Sequence, residues 1–253
     1  MATNRLFFGL ALYCLICVTP AQADNPVVSI IIDDMGYRLQ QDRDALLLSG
    51  SLTYSVLPHA PGARHVLQAA KANGNEVMLH LPMESETQSQ LSSPGVLTQS
   101  MDWITFVRTV QRNLAAVPGI VAINNHEGSR LTADTQRMQW LMEELSRHRE
   151  IAFIDSRTTH HTVALQTAEK YGLPATRRDI FLDYEPGKIE QQFKKLISKA
   201  RKEGSALAIA HPRDETIKYL NAHLDELKQQ GIDLVPVSQL IAIRQRSAEL
   251  AGR

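Results

Sequence analysis

Seven short stretches of this chain hold the side chains that could do chemistry. Asp33-Asp34 follows the apolar run Val27–Ile32. His59 comes soon after Leu52–Val56. His80 closes Glu76–Leu81, with Glu84 four residues on. Asn124-Asn125-His126 follows Gly119–Ile123, and Asp155-Ser156-Arg157 follows Ile151–Ile154. Asp183 ends Ile180–Leu182, and His211 ends Ser205–Ala210. Carboxylates and imidazoles at the ends of buried runs are costly to desolvate without partners. A divalent cation offsets that cost, because carboxylates and neutral imidazoles are its ligands. Such a group reads as a candidate metal-binding site.

Elements of one kind must carry these residues to one place. The runs are four to eight residues long and several are rich in Val and Ile, as suits parallel strands buried on both faces. An eighth such run is Ile232–Val235. Between them, Leu39–Ser49, Ala63–Ala72, Asp102–Ala116, Ala133–Arg149, Val163–Tyr171, Lys188–Lys202 and Thr216–Gln229 repeat apolar residues at helical spacing. Glycines just past several of these stretches are stop signals, and Thr132 is the expected N-cap of the fourth. Strand–helix alternation of this kind implies parallel strands with right-handed crossovers. The expected fold is α/β: a single-domain distorted (β/α) barrel of seven or eight strands. All the chemically active residues then sit on its C-terminal rim, where sites in this architecture are built. Pro82–Gln99, polar and aperiodic, is expected to loop over one face, and Ala248–Arg253 to fray.

Composition narrows the function. The 253 residues hold 27 Lys+Arg and 27 Asp+Glu, a formal charge of zero. No basic excess exists to displace counterions from a nucleic acid, so a partner of that class is not expected. Arg5, the apolar run Leu6–Val18 and Ala21-Gln22-Ala23 form a secretory leader with a small-x-small cleavage site. The expected domains are therefore a signal peptide over 1–23 and one globular domain over 24–253. The run is short for a membrane span, although an uncleaved anchor is the competing reading. Both cysteines, Cys14 and Cys17, fall inside the leader. The mature chain then has no thiol nucleophile, disulfide or cysteine metal site, a composition that suits the periplasm. No stable membrane insertion is expected after cleavage.

Several near-motifs fail. His126-Glu127-Gly128-Ser129-Arg130 begins like H-E-x-x-H but ends in Arg, and Gly128 disfavours the helix that motif needs. There is no G-x-S-x-G elbow, dinucleotide fingerprint or phosphate loop. A carboxylate pair placed for glycoside cleavage stays open. His65, His148, His160, His161 and His223 read as structural, and Lys194-Lys195 and Arg201-Lys202 as solvated helix faces.

Ile31-Ile32-Asp33-Asp34-Met35-Gly36 resembles the first motif of the polysaccharide deacetylases. The chain from about Val27 to Ile241 is similar, more closely, to the divergent polysaccharide deacetylases, the YibQ-like envelope proteins. Leu79–Glu84, Asn124–Arg130, Phe153–Thr158, Arg178–Asp183 and Ala208–Pro212 carry that resemblance in order. It implies a metal-dependent carbohydrate deacetylase, with zinc as the expected ion and an envelope glycan as substrate. It implies Asp33 as general base, Asp34 and His80 as metal ligands, and His211 as catalytic acid. The second motif departs from the family pattern, because Glu84 stands where a second histidine is expected. Glu84 or His126 then supplies the third ligand, with His126 preferred. Asn125, Asp155 and Arg157 are expected to bind substrate or to support these groups. The departure also leaves room for a catalytically inactive carbohydrate-binding protein on the same fold.

Overall fold

The computed structural model describes residues 25–87, 93–148 and 150–251. The expected leader and its cysteines, the last two residues of the tail, and 88–92 of the Pro82–Gln99 loop lie outside them. Among the described residues, no helix is long and apolar enough to cross a membrane.

Among the described residues, nine strands form one parallel sheet: β1 (Val27–Met35), β2 (Thr53–Val56), β3 (Glu76–Met83), β4 (Ala122–Glu127), β5 (Ala152–Asp155), β6 (Ala175–Arg177), β7 (Ile180–Phe181), β8 (Ser205–Ala210) and β9 (Asp233–Leu234). Their ladders run β6-β5-β4-β3-β2-β1-β8-β7, with β9 added to β1. The two end strands are nearly continuous in the chain. Arg178 N–H donates to the Asp155 carbonyl of β5 at 2.9 Å, and Asp179 N–H donates to Leu207 of β8 at 2.9 Å. One bent segment thus stitches both edges of the sheet together. Two residues reach no further than about 7 Å, so the sheet must curl into a distorted barrel.

Helices α1 (Leu39–Leu46), α2 (Ala63–Ala72), α3 (Trp103–Ala116), α4 (Thr135–Leu145), α5 (Ala164–Lys170), α6 (Ile189–Glu203) and α7 (Asp214–Gln229) make the crossovers. Strand residues such as Ile30, Ile32, Leu79, Ile123, Phe153 and Ala208 bury against them. The alternate residues Ile31, Met78, Ala122, Ile154 and Ile209 fill the barrel. Side chains on a strand alternate faces, so two residues further on each interior column reaches the rim. There it meets Asp33, His80, Asn124, Ser156 and His211.

Three local expectations differ. α4 is capped by Asp134, whose carboxylate accepts from Arg137 N–H at 3.0 Å. Thr132 instead donates to the Gly128 carbonyl from within a 3-10 turn at Leu131–Ala133. The expected tail belongs, through Ala251, to α8 (Val237–Ala251). Its Val237, Leu240 and Ile241 join the interior cluster, and burial of that stripe holds the segment helical. Finally, Pro82 and Met83 extend β3, and Leu97 N–H donates back to the Pro82 carbonyl, tying the following loop to the rim.

Candidate metal centre and active site

The turn after β1 sets the site. Asp34 has a φ of 58°, a left-handed conformation uncommon for a non-glycine residue. Gly36 follows with a φ of 118°, and a Cβ there would meet Ala60 Cβ at 2.6 Å. The buried Asp42 of α1 accepts from Gly36 N–H and pins the turn. Asp33 thereby points into the barrel while Asp34 stands at its mouth.

Three atoms converge beside Asp34. Its Oδ1 lies 3.1 Å from His80 Nε2 and 2.9 Å from His126 Nδ1, and the two nitrogens are 3.1 Å apart. Asp34 Oδ1 is nonetheless buried without a hydrogen bond, since neither ring nitrogen meets it with suitable geometry. Ligand atoms sharing one cation at about 2.1 Å sit about 3.0–3.4 Å apart. The triangle has that size, and the donor set suits a divalent ion.

Asn124 explains why His80 presents Nε2. Its amide Nδ2 donates to Asp33 Oδ1 and Oδ2 at 2.9 and 3.1 Å, which fixes the orientation of the group. Its Oδ1 then accepts from Ser55 Oγ at 2.6 Å and from His80 Nδ1 at 2.8 Å. With the proton on Nδ1, neutral His80 offers its Nε2 lone pair toward Asp34 and His126. Asn124 stands among the strand-end residues of the sequence, which assigned it no role. Two positions before His126 on the same strand, it faces inward by simple alternation.

Charge in this group is tightly coupled. Burial pushes the Asp33 carboxyl above its usual range, although His80 and His211 oppose the rise. Burial acts the same way on Asp34, but contacts with His126 and His80 outweigh it and hold that carboxyl well below the usual range. Burial lowers the His80 imidazole, yet the Asp33 and Asp34 carboxylates carry it up to about 9. Protons here compensate two carboxylates, a service a cation also performs.

His211 faces the group from β8, with Nε2 3.7 Å from Asp34 Oδ2. Its Nδ1 donates to Asp183 Oδ1 at 3.0 Å, and its backbone N–H to Asp183 Oδ2 at 2.8 Å. Burial depresses the imidazole, but the Asp183 hydrogen bond and the nearby carboxylates raise it overall. Asp183 stood among the strand-end residues of the sequence, and here it fixes the His211 tautomer.

Other expected residues fall elsewhere. Glu84 is turned away: its Oε2 accepts from Gln99 N–H at 2.7 Å, and its Oε1 lies 3.5 Å from Arg130 Nε. Asn125 faces the far side of β4, where Nδ2 donates to the Glu127 carbonyl and Oδ1 accepts from Ser156 N–H. It supports the neighbouring loop and not His126, because alternate strand residues face opposite ways. Asp155, expected to support an imidazole or Arg157, meets Arg157: its carboxylate accepts from Arg157 N–H and from Thr162 Oγ1. Arg157 is exposed on the same rim, outside the triangle.

A cleft of about 410 Å³ opens above Asp34, His126 and His211. Leu57, Pro58 and Pro82 give it apolar walls, and Tyr37, Arg38 and Arg213 lie on its lining.

A family model described as divergent polysaccharide deacetylase matches residues 30–241. The chain belongs to that family. Among its relatives, an uncharacterised Haemophilus influenzae protein is 34% identical over 244 residues, covering 94% of this chain and 82% of that protein. The uncharacterised Escherichia coli protein YibQ is 34% identical over 216 residues, covering 85% and 67%. A crystal structure of an uncharacterised Agrobacterium tumefaciens protein superposes with a TM-score of 0.82 at 22% identity, covering 86% of this chain and 90% of the other. In this member of the family, Asp34, His80 and His126 form the one group of three possible ligands found among the described residues.

Proposed function

We propose that this deacetylase-family protein is a metal-dependent hydrolase that removes an acyl group from an envelope glycan. Asp34, His80 and His126 would hold the ion, which the sequence resemblance suggests is zinc. The observation that carries the reading is the buried, unbonded Asp34 Oδ1 facing two imidazole nitrogens within 3.1 Å. When bound, the cation supplies Lewis-acid polarisation of an acyl oxygen and lowers the pKa of a coordinated water.

The chain's own groups divide the remaining work. Asp33, whose two carboxylate oxygens accept from the Asn124 amide nitrogen, takes a proton from the attacking water as the water's oxygen bonds to the acyl carbon. His211 Nε2, facing the cleft with its proton retained by the Asp183 carboxylate, donates to the departing nitrogen or oxygen as that bond breaks. The Leu57, Pro58 and Pro82 walls exclude bulk water around these transfers.

Acetate release from N-acetylglucosamine oligomers by zinc-loaded protein is the expected result. Zinc bound without release from any acylated glycan sinks the hydrolase reading. The second reading, a silent carbohydrate-binding protein, draws on Glu84, which replaces the family histidine and is held by Arg130 and Gln99. Protein that takes up no zinc favours it. We place the mature protein in the periplasm, after cleavage behind Ala23. An N-terminal mass beginning at Asp24 in a periplasmic extract is expected; a full-length chain in the membrane fraction contradicts that placement.

A further inference from the structure

We propose that the recess between the β4, β5 and β7 loops is a subsite for an oxyanion, a carboxylate or phosphate, carried by the substrate glycan. This inference rests on the deacetylase reading above. The recess measures about 640 Å³, and its lining includes Arg157, Arg178, Phe181 and Tyr184. It adjoins the active site at Phe181. The Phe181 ring lies 5.2 Å from the His211 ring, 4.7 Å from the Arg178 guanidinium and 5.5 Å from the Tyr184 ring.

Two cations meet here without an ion-pair partner. Arg178 spends Nε on the Ser156 carbonyl at 2.7 Å and one terminal nitrogen on the Arg157 carbonyl at 3.0 Å. Neither Arg157 nor Arg178 belongs to an ion pair among the described residues, whose basic partners at this site are Arg244 and Lys199. Those two hold Asp179, so that lining carboxylate is already matched. Glu127 lines the recess as well, and the buried Asp155 carboxylate also acts on both guanidinium groups, although neither arginine forms an ion pair with them. Burial and then the positive charge of Arg157 lower the Arg178 pKa, outweighing the opposing carboxylates of Asp33, Asp155 and Asp179. An incoming oxyanion relieves that repulsion and matches the guanidinium fork.

The backbone holds Arg157 in place. Its φ is 51°, and its N–H donates to Asp155 Oδ1 at 2.8 Å. Such strained positions persist where the surrounding structure over-determines them. Tyr184, 70% exposed, offers a face for the apolar side of a sugar ring beside the charged pair.

The test is binding, which requires neither turnover nor a loaded metal, so it can fail independently of the hydrolase reading. Isothermal titration compares N-acetylmuramic acid, N-acetylglucosamine 6-phosphate and neutral N-acetylglucosamine on the whole mature protein. At least one charged sugar is expected to bind about tenfold more tightly than the neutral one, with the margin shrinking as salt rises. A preference for the first assigns a carboxylate, and for the second a phosphate. Arg157→Gln is expected to remove the margin and Arg157→Lys to keep part of it, both folding as judged by circular dichroism. Equal affinities, no binding of either charged sugar, or a margin that survives Arg157→Gln overturns the proposal.

Discussion

His80 Nδ1 and Asn124 Oδ1 lie 2.8 Å apart, buried beside Asp33, and that bond decides which imidazole nitrogen faces Asp34 and His126. Asn124→Ala removes it and also strips Asp33 and Ser55 of a partner. Zinc affinity should fall about 10- to 100-fold. Stability should fall by about 1–3 kcal/mol, because buried polar groups are left unpaired. Chelator competition and a urea melt measure the two. Lost stability with unchanged affinity would make Asn124 a structural residue alone.

Glu84 and His126 make opposite predictions. Glu84→Gln leaves the triangle intact, so zinc stoichiometry should stay at wild-type level. His126→Ala removes one corner and should abolish tight binding. Elemental analysis after gel filtration distinguishes them; loss in Glu84→Gln with retention in His126→Ala would transfer the ligand role to Glu84.

Asp33→Asn keeps the shape of the side chain but cannot accept the water's proton. Turnover should drop by about 10²–10⁴-fold while zinc remains bound. Acetate release is the readout, and a fully active variant would remove Asp33 from the base role.

The Asp183 carboxylate helps raise the His211 pKa. His211 must carry a proton to act as the acid, so activity is lost as pH rises through its pKa. Asp183→Asn withdraws the negative charge while burial still disfavours the imidazolium. The alkaline limb of kcat/KM should therefore move to lower pH. A limb that stays put would show that another group supplies the proton.

Much of this arrangement is legible in the sequence because the barrel strands are short apolar runs with polar residues at one end. Strand β6 escapes that test. Ala175-Thr176-Arg177 has no apolar run, and its pairing follows from closure of the sheet onto β5. Helix α8 could have been found from Val237, Leu240 and Ile241 at three and four spacing. The same holds for Asn124: once His126 is assigned inward, strand alternation turns Asn124 inward and Asn125 outward. Family likeness, by contrast, offered Glu84 as a ligand position, and only three-dimensional placement shows it held by Gln99 and Arg130.

X-ray absorption at the zinc edge, on protein loaded with one equivalent, reports the ligands directly. Two imidazoles plus oxygen donors at about 2.0–2.2 Å, falling to one imidazole in His126→Ala, is the expected spectrum. A wild-type spectrum without imidazole scattering, or one unaltered by His126→Ala, would contradict a shared ion at Asp34, His80 and His126.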